Sequence, residues 1–235
     1  MKRIMLVAVA LSVFDLTAPA TAGESTQAAP SQSRVQTRES QAAMTPPEAL
    51  ARLTAGNARF VANATKRRDW SVNVAATAAG QFPFAAVLGC MDSRAPVEIV
   101  FDQGIGDIFG VRVAGNVVND DELGSLEYAV KVGTKLIVVL GHTSCGAVKG
   151  ALDDVKLGNL TGVLAKIKPA VAAASCSSSK DEACVTKVAE ENVRQSMKAI
   201  REKSQFIAKN VDEGKVDLVG GMYDVATGKV TFLKN

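Results

Sequence analysis

The chain has 235 residues, 47% hydrophobic and 22% charged, enough for one domain with a full core and too few for two large ones. Its formal net charge is +3 and no basic stripe is interleaved with aromatics, which argues against a nucleic-acid partner. At the amino terminus, Lys2 and Arg3 precede an apolar stretch from Ile4 to Phe14. Ala20-Thr21-Ala22 then offers the small-x-small pattern of a signal-peptidase site, so residues 1–22 are predicted to be a signal peptide cleaved before Gly23. The run is too short to span a bilayer, and Asp15 ends it. The expectation is a periplasmic or secreted protein, off the membrane once the signal is cleaved.

Residues 23–44 are rich in Ser, Gln, Ala and Thr and read as a flexible tether. The folded domain is expected over 45–235. It starts at Thr45-Pro46-Pro47-Glu48, where Thr45 suits a helix N-cap, Pro46 the first helical position, and Glu48 a capping box. Apolar runs at 84–88, 108–113 and 136–140 read as buried parallel strands. Between the last two, Leu123, Leu126, Ala129 and Val130 recur at helical spacing. Residues 159–210 read as helices broken near 175–180. A fourth strand at 216–223, a turn at Ala226-Thr227-Gly228 and a return strand at 229–233 close the chain. The fold class expected is α/β: a mostly parallel central sheet flanked by helices, with an N-terminal helical arm and a C-terminal antiparallel edge strand.

Four cysteines and one histidine carry the chemistry. Cys90 follows the first strand and His142 the third, and ligands in open α/β sheets gather outside the carboxyl ends of strands. Cys145 sits three residues after His142 at the start of the next helix, where the helix dipole favours a thiolate. Alone, H-x-x-C is more often core filling than a ligand pair. With Cys90 added, two sulfurs and an imidazole match a catalytic zinc site that keeps its fourth place for water. Next along the chain, Asp92 and Arg94 form either an ordinary ion pair or a dyad. As a dyad, Arg94 holds Asp92 ionised and away from the metal, and Asp92 orients a bound hydroxide. Asp92 is also able to enter the metal shell as a fourth ligand in a closed state.

Together, Cys90-Met91-Asp92-Ser93-Arg94, Gly106-Asp107-Ile108-Phe109, Ala114-Gly115-Asn116 and Gly141-His142-Thr143-Ser144-Cys145-Gly146-Ala147 resemble the β-class carbonic anhydrases. The resemblance runs from about residue 45 to the end and is most specific over 80–150. It implies reversible hydration of carbon dioxide to bicarbonate and a proton, with one zinc ion per chain. Cys90, His142 and Cys145 would be its ligands and Asp92–Arg94 the catalytic dyad. Gln81 matches a family glutamine beside the substrate pocket. The resemblance also implies a homodimer or homotetramer in which residues 45–64 cross onto a partner. One departure is Val113, which stands where the family often carries asparagine in Arg-Asn-Ala-Gly-Asn.

Two thiolates neutralise zinc's double charge, so water on such a centre should ionise above the value of about 7 seen with three histidines. The sole histidine is taken up as a ligand, leaving the proton to external buffer or a carboxylate. Hydrolysis of carbon disulfide or carbonyl sulfide on the same site is the nearer rival, and a non-catalytic zinc-binding protein the more distant one. A storage site has no need of Asp92 and Arg94. The remaining cysteines, Cys176 and Cys184, lie in the break between helices. In an oxidising compartment they are expected to form a disulfide, the other reading being two free thiols.

Overall fold

The computed structural model describes residues 35–233. The expected signal peptide, and the tether as far as residue 34, lie outside the described residues. Within the span read as tether, residues 35–44 instead contain a helix, α1 (Arg38–Ala43), closed at its start by a Thr37–Ser40 capping box. Its Gln41 is buried and donates to the Pro83 carbonyl at 2.7 Å, 42 residues away. That long-range partner is why composition alone misassigns the segment.

The sheet has five strands in the order β2-β1-β3-β4-β5. They are β1 (Ala85–Gly89), β2 (Ile108–Arg112), β3 (Leu136–His142), β4 (Asp217–Tyr223) and β5 (Val230–Phe232). The first four are parallel and β5 runs antiparallel to β4. Strands β1 and β3 are buried on both faces, so their sequences are unbroken apolar runs instead of alternating ones. The alternation survives in which layer each residue meets. Ala85, Val87, Leu136, Val138 and Leu140 pack with α2 (Pro46–Val61) and α4 (Val97–Val100). Ala86, Leu88, Ile137 and Val139 meet the opposite layer. That layer comprises α5 (Asp120–Lys131), α6 (Gly146–Leu152), α7 (Leu160–Ala174), α8 (Glu182–Lys203) and α9 (Gln205–Asp212). A short helix not foreseen from the sequence, α3 (Trp70–Thr77), precedes β1.

Helix α2 carries the expected Thr45–Glu48 capping box. Part of its apolar side packs on its own sheet. Ala49 and Leu53 are wholly buried there. A Cβ on Gly56 would stand 1.8 Å from the Phe101 carbonyl oxygen, so only glycine permits this approach. Asn57 fastens the same helix to the far edge of the sheet, accepting from Val230 N at 2.8 Å and donating to Gly228 O at 2.8 Å. No helix among the described residues is long and apolar enough to cross a membrane.

Candidate metal centre

Cys90 follows the last residue of β1, and His142 is itself the last residue of β3, which runs two residues beyond the expected end. Parallel pairing of β1 with β3 brings these carboxyl ends side by side. Cys145 is the N-cap of α6. The donor atoms of Cys90, His142 and Cys145 all lie within 4.8 Å of one another, and all three residues are buried. His142 Nδ1 stands 2.8 Å from the Thr143 carbonyl, which makes it the protonated nitrogen and leaves a lone pair on Nε2. Nε2 is buried without a hydrogen-bond partner. A buried, unpartnered acceptor beside two sulfurs is costly unless something electrophilic occupies the space between them. These residues therefore fit a metal that takes soft and borderline donors.

The 3-10 turn Ala114–Asn116 shapes the other side. Gly115 has φ 69, a left-handed conformation, and a Cβ there would lie 2.6 Å from Ile167 Cδ1. Its amide donates to Cys90 Sγ at 3.3 Å. Donation from the Cys145 thiol, reinforced by this amide, pulls the Cys90 thiol below its ordinary value, and Cys145 is pushed up in return. Without metal the two sulfurs thus share one proton between them. Burial pushes the His142 imidazole down, and the adjacent Cys90 more than offsets it.

Asp92 is bound by Arg94 through three hydrogen bonds, from the backbone amide (2.9 Å), Nε (2.9 Å) and a terminal nitrogen (2.7 Å). The guanidinium holds the carboxyl well below the usual carboxylate range against the opposing effect of burial. Asp92 Oδ2 is 3.8 Å from His142 Nε2. It stands next to the Cys90–His142–Cys145 cluster while turned toward Arg94. Arg112 braces the loop from beneath, donating to Cys90 O at 3.0 Å and Asp92 O at 2.6 Å.

Gln81 is not brought to this cluster within the chain. It is exposed at the amino end of β1, whereas Cys90 leaves the carboxyl end. The strand between them is about 16 Å long at the usual rise per residue. Cys176 and Cys184 are joined by a disulfide with Cα atoms 5.6 Å apart.

Sequence reasoning missed the part played by α8. Asn192 donates to Gly115 O at 2.7 Å and Ser196 to Asn116 O at 3.0 Å, so this helix holds the turn that serves Cys90. Both side chains are buried on α8. A polar pair at i and i+4 amid Val188, Val193 and Ile200 was the available signal. Asn192→Ala is expected to destabilise the fold by roughly 1–3 kcal/mol, because the Gly115 carbonyl loses its buried partner. Urea unfolding checks this, and an unchanged midpoint would show that the carbonyl finds another donor.

The carbonic anhydrase family profile matches residues 85–230. Carbonic anhydrase 2 of Mycobacterium tuberculosis is 39% identical over 184 residues, covering 75% of this chain and 87% of that protein. Among solved structures, the β-carbonic anhydrase CafA of Aspergillus fumigatus aligns with a TM-score of 0.64 at 28% identity, over 80% of this chain and 90% of that one. One of two tetrameric β-carbonic anhydrases from Sordaria macrospora aligns at 0.62 and 25% identity, over 70% and 91% of the two chains.

Proposed function

Because the chain belongs to the β-carbonic anhydrase family and is an enzyme of carbon dioxide hydration, we propose that it works through one zinc ion held by Cys90, His142 and Cys145. The observation that carries this reading is the buried cluster of two sulfurs and an unpartnered imidazole nitrogen, with an arginine-bound carboxylate beside it. Zinc bound there would act as a Lewis acid, lowering the pKa of water to make a nucleophile near neutral pH.

The chain's own residues do the rest. Thr143 O fixes the imidazole tautomer and ring direction. Arg94 withholds Asp92 from the ligand cluster, and Asp92 accepts a hydrogen bond from the attacking water, aiming a lone pair at the carbon of carbon dioxide. Since Asp92 is held below the ordinary carboxylate range, the charged pair is fully present above that range and lost only as pH falls through the lowered value. Protonation of the dyad therefore does not limit turnover between neutral and alkaline pH. The proton left by the reaction goes to buffer, since the sole histidine is committed to the cluster.

Turnover at saturating carbon dioxide should rise from neutral to alkaline pH, with a midpoint above about 7 because two thiolates neutralise the centre. Adding an imidazole-type buffer should raise it further. A flat profile from about pH 6 to 9 with no buffer response would overturn the mechanism, and faster turnover of carbon disulfide would redirect the substrate assignment.

A homodimer or homotetramer is proposed on the tetrameric Sordaria relative. In such an assembly Gln81, exposed and remote from its own cluster, would approach the centre of a second copy. Export with loss of residues 1–22 is supported by the amino-terminal pattern. Running the assay on protein exported by its own leader makes these readings measurable. Intact mass gives the cleavage site, and elution volume gives the assembly.

A further inference from the structure

We infer that Glu182 is a positioning residue for the metal loop, and that the Cys176–Cys184 disulfide is the brace that holds it there; this rests on the zinc reading above. Ser144 lies between two ligands, His142 and Cys145, and has φ 53. Serine adopts that left-handed conformation at a cost, so the loop keeps its shape only if its surroundings hold it. Ser144 is gripped from two sides. Its carbonyl accepts from the Arg94 guanidinium at 3.3 Å, and its hydroxyl donates to Glu182 Oε2 at 2.7 Å. The other Glu182 oxygen pairs with Lys149 of α6. One carboxylate therefore links the residue before Cys145 with the helix after it, and reaches the dyad arginine through Ser144.

The placement of Glu182 is itself built. It is the first residue of α8, whose N-cap Asp181 accepts from Ala183 N at 2.9 Å and Cys184 N at 3.3 Å. Cys184, two residues on, is bonded to Cys176, which lies just beyond the end of α7. This turn of α8 also packs through Val185, wholly buried in the cluster that holds Ala170 and Ala174 of α7, and the disulfide adds a covalent tie at the helix end itself. Glu182 itself is exposed by 56% of its side chain, and exposed ion pairs add little to global stability. Its effect is accordingly on the geometry of the loop.

The test uses the zinc-loaded protein with Glu182→Ala, Glu182→Gln, Ser144→Ala and the Cys176→Ser/Cys184→Ser pair. It reads zinc transfer to a chromogenic chelator, the visible spectrum of the cobalt-substituted form, and Tm. Glu182→Ala is expected to speed zinc release about threefold to tenfold, less than the 10–100-fold typical when a ligand's direct partner is removed. It should also shift the cobalt bands and leave Tm almost unchanged. Glu182→Gln, which still accepts from Ser144 but loses the ion pair with Lys149, should bring release and the cobalt spectrum most of the way back to native. The double serine variant should reproduce the effect, and Glu182→Ala placed in it should add nothing further. Ser144→Ala should act like Glu182→Ala while leaving α8 intact, which keeps the test alive if a helix variant fails to fold. Native release and a native cobalt spectrum in both Glu182→Ala and Ser144→Ala would overturn the positioning role. Additive effects would overturn the brace. Failure of the unsubstituted protein to bind zinc would instead refute the metal reading.

Discussion

Arg94→Ala is expected to keep zinc at one per chain while lowering turnover about 100-fold, the upper end for a residue that orients a catalytic centre without binding the metal. In the native chain three hydrogen bonds from Arg94 immobilise Asp92. The alanine variant keeps only the one from the backbone amide. The freed carboxylate begins 3.8 Å from His142 Nε2, close enough to swing into the fourth place and exclude water. Its pKa should also climb back toward the ordinary carboxylate value once the guanidinium is gone. Metal analysis beside stopped-flow hydration separates the two effects. Near-native turnover with full zinc would reduce the pair to a structural ion pair. Asp92→Ala should likewise keep the metal and lose rate, because nothing then blocks the fourth place but nothing aims the water either.

The largest effect is expected at the ligands. Cys90→Ser, His142→Ala and Cys145→Ser should each lose zinc and fall to the uncatalysed background. Removing one of three protein donors leaves too few for a stable site. These losses should be accompanied by a lower Tm, since metal binding to a site absent from the unfolded chain contributes directly to folding. Zinc titration of the metal-free native protein should release a proton near neutral pH. That proton comes from the coupled Cys90–Cys145 pair, in which the first thiolate raises the pKa of the remaining thiol. Calorimetry in buffers of different ionisation enthalpy counts it. Full zinc occupancy in any one of the three variants would remove that residue from the ligand set.

The parts of the molecule legible in the sequence are those whose signal is local or chemically rare. The runs that became β1 and β3 are readable because a strand buried on both faces has no polar positions to interrupt it. The start of α2 is readable because its cap lies within four residues. Cys90, His142 and Cys145 stand out because the chain has only four cysteines and one histidine. Two of these residues are only three apart, and Asp92 and Arg94 follow the third by a similar step. The start of α5 carries the same kind of local signal, a capping box of Asn119 and Glu122 that the apolar spacing of Leu123, Leu126, Ala129 and Val130 does not include.

What the tertiary structure alone decided are contacts between common residue types far apart in the chain. Asn192 meets Gly115 across 77 residues, Ser196 meets Asn116 across 80, and Ser144 meets Glu182 across 38. Nothing in an asparagine, a serine or a glutamate on an amphipathic helix names its partner, because the partner is set by which loop the helix covers once the sheet is assembled. The same holds for Gln41, which ties down a segment whose composition reads as tether, and for Gln81, which strand direction carries to the opposite end of the sheet from Cys90. The sequence by itself thus determined the donor set and the strands that carry it, since both depend on residue chemistry and short-range pattern. Only the fold decided what holds those donors in place, because such support consists of single hydrogen bonds whose two ends are brought together by packing.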